Sequence, residues 1–332
     1  MRRAIALAAD LRLTLLGMAA LCVTAGVGAY RPEGVLPWIA APVVLLTFNL
    51  LAAMAVDGRF RRRVPLLGFH LCLLAVVALG GAGELVRFTG SVELAQGQAF
   101  DPGLVRSEER GHWHPDRLDR VAFTQADIKV RYGPGLRRIG TESRVRLPQG
   151  NGRTVERTVG DEGPLLASGY RFYPTSNKGF AAYLSWTRPD GSRQRGTVHF
   201  PSFPLLAQAQ ENRWQLPGGE ALILTLDPDV VVPESGSWIL QGAGDAPTLY
   251  VYVDGRQETL RVGDRITVGG NVVRFDGVEL WMGYWIYSEP TMAWLLAAAI
   301  LGMIFIGWHV SGGLRRDDRL AAPRAHIGAV VR

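Results

Sequence analysis

Cysteine is scarce in this sequence: two in 332 residues, Cys22 and Cys72, and both fall inside uncharged stretches near the amino terminus. Residues 84–290 contain none, so no disulfide can staple that region and its stability has to come from an apolar core. Neither a Cys-x-x-Cys pair nor a Cys-x-x-Cys-His haem-attachment signature occurs, which excludes a thioredoxin-type dithiol oxidoreductase and a c-type cytochrome. Charge is also absent, but only locally. Residues 13–30, 34–56, 64–83 and 291–314 hold no Lys, Arg, Asp or Glu, whereas charges are dense between the third run and the fourth.

Each uncharged run approaches or passes the roughly 20 residues a helix needs to cross about 30 Å of hydrocarbon. Four such runs, three of them nearly consecutive, predict four transmembrane helices arranged three plus one, at about 13–30, 35–56, 64–82 and 291–314. The formal charge of +6 would suit nucleic-acid binding were it spread over one soluble face. Instead it clusters. Arg2, Arg3 and Arg12 precede the first run, Arg59, Arg61, Arg62 and Arg63 separate the second from the third, and Arg315, Arg316 and Arg319 follow the fourth. Those three groups share one side of the membrane, the cytoplasmic side by the positive-inside rule. Both termini are then expected on the cytoplasmic side, and the region 84–290 outside, in the periplasm or its equivalent. The small residues near Thr24–Ala29 also permit a cleaved signal peptide, which would leave three spans.

The region 84–290 reads as β structure, with short alternating segments such as Thr154 to Val159, Gln194 to Phe200 and Thr248 to Val253. Turn material separates them at Pro189-Asp190-Gly191, Asp254-Gly255 and Asp276-Gly277. An antiparallel β-sandwich or a partly open barrel is the expected architecture. Trp281, Tyr284, Trp285 and Tyr287 are expected to anchor the outer lipid interface. Residues 315–332 are expected to form a short, mobile tail. Asn49, a lone amide in the second run, is expected to bond a neighbouring helix.

Two of six histidines lie in uncharged runs. His70 stands seven residues beyond Arg63, about 10 Å along a helix, and His309 stands six residues before Arg315, about 9 Å. Facing one another at matching depth, the two imidazoles would ligate the iron of a haem b axially. Hydrogen bonding to Asn49 or a wet polar boundary are the plainer readings of the same pair. His112 and His114, flanking Trp113, sit in a charged stretch that suits a solvated loop, and His199 reads as an ordinary strand residue.

Several segments together resemble the ResB family of system II cytochrome c biogenesis. They are Asp10-Leu11-Arg12-Leu13-Thr14, Asn49-Leu50-Leu51, Phe69-His70-Leu71, Val92-Glu93-Leu94 with Gly97-Gln98-Ala99-Phe100, Gly169 to Tyr173, and Leu280-Trp281-Met282-Gly283 followed by Glu289-Pro290. The resemblance covers nearly the whole length and shares the three-plus-one order. It implies haem handling at the outer face in support of haem attachment to apocytochrome c, with His70 at the family histidine of the third span and His309 near a histidine of some members. The region between the last two spans is shorter than in many relatives, and no CcsA-like haem-binding half is present. The resemblance therefore implies an accessory subunit that works with a separate CcsA-type partner or is recruited into another membrane redox complex. Two other readings stay open: a haem b electron-transfer subunit that docks a periplasmic redox protein, and a cofactor-free structural or assembly subunit.

Overall fold

The computed structural model describes residues 7–30, 36–149, 152–161, 163–204, 209–216, 221–233, 235–253 and 255–321. The turn expected over Arg31 to Gly34 (Gly34 included) lies outside them, as do Asp254 and residues 322–332. The chain divides into two compact units, one made of 1–85 with 289–332, the other of 86–288.

The first unit is helical. Its long helices are α1 (Leu11–Tyr30), α2 (Leu36–Val56), α4 (Val64–Val86) and α5 (Met292–Ala321), and each is long and apolar enough to cross a membrane. A short helix, α3 (Gly58–Arg62), separates α2 from α4. Asp57 caps α3 by accepting from the Arg59 backbone N–H, and it also pairs with the Arg59 guanidinium at 2.6 Å. Two boundaries differ from expectation. The helix α4, expected to end at about residue 82, continues to Val86, and α5 runs on past Arg315 to Ala321, where a mobile tail was expected.

α1 and α2 are joined by a polar clamp. Asn49 is 6% exposed. Its Nδ2 donates to the carbonyls of Ala8 at 2.7 Å and Asp10 at 3.1 Å, and its Oδ1 accepts from Thr14 Oγ1 at 2.6 Å. Both amide protons and the oxygen are thereby satisfied away from water, where an orphaned amide would be costly. Nearby, Gly17 lets the helices close up: a methyl group there would come within 2.8 Å of the Leu46 side chain.

The second unit is all-β and contains three antiparallel sheets, where a sandwich would have two. The largest has the order β2-β1-β15-β7-β6, with β14 on β15 and β8 on β7. Here β1 is Phe88–Ala95, β2 Arg106–Arg110, β6 Leu165–Ala167, β7 Tyr170–Thr187, β8 Arg193–Ser202, β14 Arg265–Val268 and β15 Asn271–Ser288. A second sheet has the order β13-β12-β10-β9, from β9 (Glu211–Gln215), β10 (Ala221–Asp227), β12 (Thr248–Val253) and β13 (Arg256–Arg261). The third, β11-β3-β4-β5, uses β3 (Thr124–Tyr132), β4 (Arg138–Pro148), β5 (Thr154–Gly160) and β11 (Trp238–Leu240).

β7 and β15, 18 residues each, are the spine of the first sheet. Asp276-Gly277 is not a hairpin turn. It is a bulge inside β15, where the register on β7 shifts between Phe275 and Gly277 and Gly277 takes φ +153°, a conformation that favours glycine. Pro189-Asp190-Gly191 does turn the chain, from β7 into β8, with the Arg188 N–H donating to the Ser192 carbonyl.

One core of fully buried side chains, among them Phe88, Phe172, Phe180, Phe275 and Tyr284, is shared by the three sheets. Tyr284 and Trp281, expected at a lipid interface, are 0% and 3% exposed inside this unit; only Trp285, at 55%, stands out of it. For Tyr284 the reason is the strand register, while Trp281 lies on the opposite face beneath the His199 ring. Leu280, Met282, Tyr284 and Ile286 all point from β15 into the core at period two. Tyr284 also carries a closed hydrogen-bond ring. Its hydroxyl donates to Gln125 Oε1 at 2.6 Å, Gln125 Nε2 donates to Ser143 Oγ at 2.8 Å, and Ser143 Oγ lies 2.6 Å from the Tyr284 hydroxyl. Burial pushes the phenol far above its ordinary range, so it remains a donor at any physiological pH.

Candidate functional site

His70 sits one and a half turns into α4. Its Nδ1 lies 2.8 Å from the Leu66 carbonyl one turn earlier, a bond that places the proton on Nδ1 and leaves the Nε2 lone pair outward. Among the described residues Nε2 has no hydrogen-bond partner. Two phenylalanines frame the ring edge-on, Phe69 at 5.2 Å and Phe60 at 4.9 Å between centroids. Phe60 precedes His70 by ten residues, about 15 Å of continuous helix, so the 4.9 Å contact requires the chain to break direction. It does so at Arg63, whose φ −123° and ψ 88° are non-helical.

His309 does not meet it. The register of α4 against α5 follows from three close approaches. A methyl group on Gly68 would lie 2.7 Å from the Phe305 ring, one on Gly302 would lie 3.3 Å from Cys72 Cβ, and one on Gly83 would lie 2.8 Å from Thr291 Oγ1. In this antiparallel register the level of His70 is that of Ile304, and His309 is level with Pro65, about 7.5 Å further along the axis at 1.5 Å per residue. The faces differ as well. At 100° per residue His70 is about 180° from the Gly68–Cys72 side that meets α5, while His309 shares the side of Gly302 and Phe305. The arginine counts place the two imidazoles at like distances from their own boundaries, yet helix packing turns one toward α3 and the other toward α4. Neither bonds Asn49, whose amide is fully engaged by Thr14, Ala8 and Asp10.

The residues therefore fit haem unequally. His70 presents a free, oriented ring nitrogen between aromatic edges, which suits one axial ligand. His309 does not converge on that position within this chain.

In the β unit His114 is not a solvated loop residue. Its Nδ1 bonds the Val86 carbonyl at 2.8 Å, its Nε2 bonds the Tyr170 hydroxyl at 2.7 Å, and its ring packs on Phe88 at 5.2 Å. Both nitrogens are consumed, so it is a structural tie, while His112 is exposed. His199 departs furthest from its sequence reading. Its Nδ1 lies 3.1 Å from Glu93 Oε2, and its ring stacks on Trp281 at 5.4 Å with planes 4° apart. It lies between the core residues Val198 and Phe200 and so faces away from the core, where strand alternation names no neighbour. Glu93 and Trp281 both stand in segments that carry the family resemblance. Among the described residues no group of three or more His, Cys, Asp or Glu is gathered as a metal site.

Comparison with protein-family models and with curated proteins gives no match to this chain.

Proposed function

We propose that this chain is a four-span protein of the bacterial inner membrane, with both termini cytoplasmic and the β unit periplasmic, and that it serves as a ResB-like accessory subunit in cytochrome c maturation alongside a CcsA-type partner. Three arginine clusters at one end of the apolar helices support the orientation. The ordered set of segments quoted above supports the family reading.

The observation that carries the haem role is His70. An imidazole in an apolar helix is costly unless it has work to do, and this one spends Nδ1 on Leu66 while holding Nε2 unpartnered between Phe60 and Phe69. Haem bound there would supply an iron centre within a porphyrin whose vinyl groups are the sites of thioether attachment. His70 would hold that iron through Nε2, with the Leu66 carbonyl fixing the ring tautomer and Phe60 and Phe69 shielding the nitrogen from water. With His309 turned toward α4, a second ligand would have to come from the partner protein, a role for which a CcsA-type haem handler is suited.

Purification of the full chain with its partner from haem-replete cells, followed by a reduced-minus-oxidised spectrum, tests this. His70→Ala is expected to lower haem occupancy at least about tenfold and to remove holocytochromes c from the cell, whereas His309→Ala retains most of both. Membrane levels of each variant are matched first. Full haem occupancy in the His70 variant overturns the ligation, and normal holocytochrome c in a deletion strain overturns the pathway.

A further inference from the structure

The β unit contains a second place where side chains converge, and it has no part in the haem reading above. Glu93 on β1 and His199 on β8 are separated by two intervening strands, β15 and β7. In a flat sheet that is about 14 Å, three spacings of about 4.8 Å. Their side chains nevertheless meet at 3.1 Å. Small residues make this possible. Ala95, Ala181, Gly179 and Gly283 pave one face of the sheet, with Ala95 paired to Trp281, Trp281 to Gly179 and Ala181 to His199. On that floor Trp281 lies 3% exposed, its Nε1 donating to the Phe200 carbonyl at 3.0 Å, and the His199 ring lies flat on the indole. A side chain at Gly179 would collide with the indole, since a methyl group there would come within 3.0 Å of Trp281 Nε1. Asn212 on β9 then fixes the strand by donating to the His199 carbonyl.

The imidazole is thus held from below by Trp281, from one side by Glu93 and through its backbone by Asn212, with Nδ1–H donating to the carboxylate. That donation leaves Nε2 as the working atom, and Nε2 is buried without a partner among the described residues. A buried polar atom calls for a partner, from water or from a ligand, and for Nε2 that partner has to come from the space beside it. A cleft of about 480 Å³ adjoins it, lined by Glu93, Gln98, Arg106, Thr197, Asn212 and Arg213 as well as by His199 itself. Neither Arg106 nor Arg213 makes an ion pair among the described residues. Arg213, Arg106, whose charge also acts on the Glu93 carboxylate, and one oriented imidazole nitrogen therefore open on the same space. The hydrogen bond from His199 also holds the Glu93 carboxyl below its ordinary range, so the carboxylate stays charged to hold the ring.

We propose that this cleft binds an oxyanion of the carboxylate or phosphate class, one oxygen sharing a single proton with His199 Nε2 and the remaining charge resting on Arg106 and Arg213. The donor set is matched to that chemistry: guanidiniums prefer carboxylate and phosphate oxygens, and an orphaned imidazole nitrogen accepts from a protonated oxygen or, once protonated, donates to a bare one. A cation is disfavoured by the arginines. An apolar ligand would leave Nε2 orphaned.

The full chain labelled with 15N-histidine in detergent micelles, titrated separately with inorganic phosphate and with acetate, tests the proposal, the two arms distinguishing a phosphate from a carboxylate ligand. The His199 resonances are assigned with His199→Gln. A saturable shift of His199 Nε2 is expected in at least one arm, while His114, with both nitrogens bonded, stays still. Arg213→Met and Arg106→Met are each expected to weaken binding about tenfold, the equivalent of about 1.4 kcal/mol, with unchanged melting of the β unit. Absence of a saturable shift in both arms overturns the proposal, as does a shift that neither arginine variant weakens. Haem occupancy at His70 is read in the same preparations, so failure here leaves the membrane reading standing and the reverse is also true.

Discussion

The two units are built on opposite economies of burial. In each apolar helix only 6% to 11% of the residues of the spanning window are buried by the rest of the chain, whereas the β unit encloses a continuous core of wholly buried aromatic and aliphatic side chains. Large apolar residues such as Leu15, Phe48, Leu301 and Met303 stand exposed on the helices. Surface of that kind is stable only under lipid or against another protein. The β unit, with no cysteine, needs neither. Its cohesion is internal, and the helices draw theirs from what surrounds them.

That contrast makes the largest mutational effect fall in the β unit and be indifferent to the surrounding amphiphile. Tyr284→Phe removes the donor to Gln125 and the acceptor facing Ser143, leaving two buried polar atoms short of a partner. A loss of about 2–6 kcal/mol is expected, at about 1–3 kcal/mol for each group left unsatisfied. Chemical denaturation followed by near-UV circular dichroism measures it in detergent and again in nanodiscs. The same loss in both media sustains the idea of a self-sufficient unit, and a loss that vanishes in lipid breaks it.

What the sequence reveals of each unit follows from how locally its structure is specified. The four apolar helices are legible because a span is one uninterrupted run. Their ends are not, since α4 keeps its hydrogen bonds through Gly80, Gly81 and Gly83 although those residues weaken a helix only by propensity. Strands with clean alternation, such as Thr248–Val253, are legible too. The spine strand β15 reads as two shorter strands, because Asp276-Gly277 looks locally like a turn and only pairing with β7 makes it a bulge. β2 is invisible for another reason: all five of its residues, Arg106 to Arg110, are exposed, so it has no apolar period to read. Site residues divide the same way. The depth of His70 or His309 within one helix can be counted, but rotation about the helix axis and register against the neighbour depend on contacts such as Phe305 over Gly68. Arginine boundaries are also a loose ruler, as long basic side chains snorkel over several residues of helix. The Glu93–His199 pairing crosses three strand spacings and was beyond any local pattern.

A second variant probes the β unit at a weaker point. Lys178 is 5% exposed, its Nζ donating to the Ser176 carbonyl at 2.9 Å and lying 5.9 Å from the centre of the Tyr132 ring. Burial, reinforced by Arg138, lowers its pKa from 10.5 to about 8. Between those two values the unfolded chain binds more protons than the folded one, so this group makes stability rise with pH across that window, and its penalty is complete below pH 8. Lys178→Met is therefore expected to stabilise the β unit at pH 7 by roughly 1–3 kcal/mol, with the advantage shrinking toward pH 10.5. Denaturation midpoints of the two proteins at pH 7, 9 and 10.5 show it. A constant difference across the series would mean that the ammonium is solvated well enough for its burial not to matter.

The smallest effect belongs to the helices, and it is the one that depends on the medium. Asn49 is the described polar contact between α1 and α2, and Thr14 is its side-chain partner at 2.6 Å. In hydrocarbon such a bond gains little over its alternatives, because a separated helix finds other partners for its polar groups, and measured values average about 0.6 kcal/mol with a ceiling of about 2. Asn49→Leu additionally frees the carbonyl of Ala8, while that of Asp10 still accepts from the Leu13 and Thr14 backbone N–H groups. Both carbonyls lie just before α1, where water can reach them and limit the cost. A net loss near 1 kcal/mol is expected for Asn49→Leu, and a coupling of about 0.6 kcal/mol in the double-mutant cycle with Thr14→Val. The cycle is read from the helix transition on titration with a denaturing detergent, in thin and thick bilayers as well as in micelles. Because the helices bury so little against one another, even this modest clamp should shift their transition visibly while the near-UV signal of the β unit stays where it was. Movement of both signals together would show that the two units share one cooperative fold, and the difference in burial between them would then say nothing about how each is held.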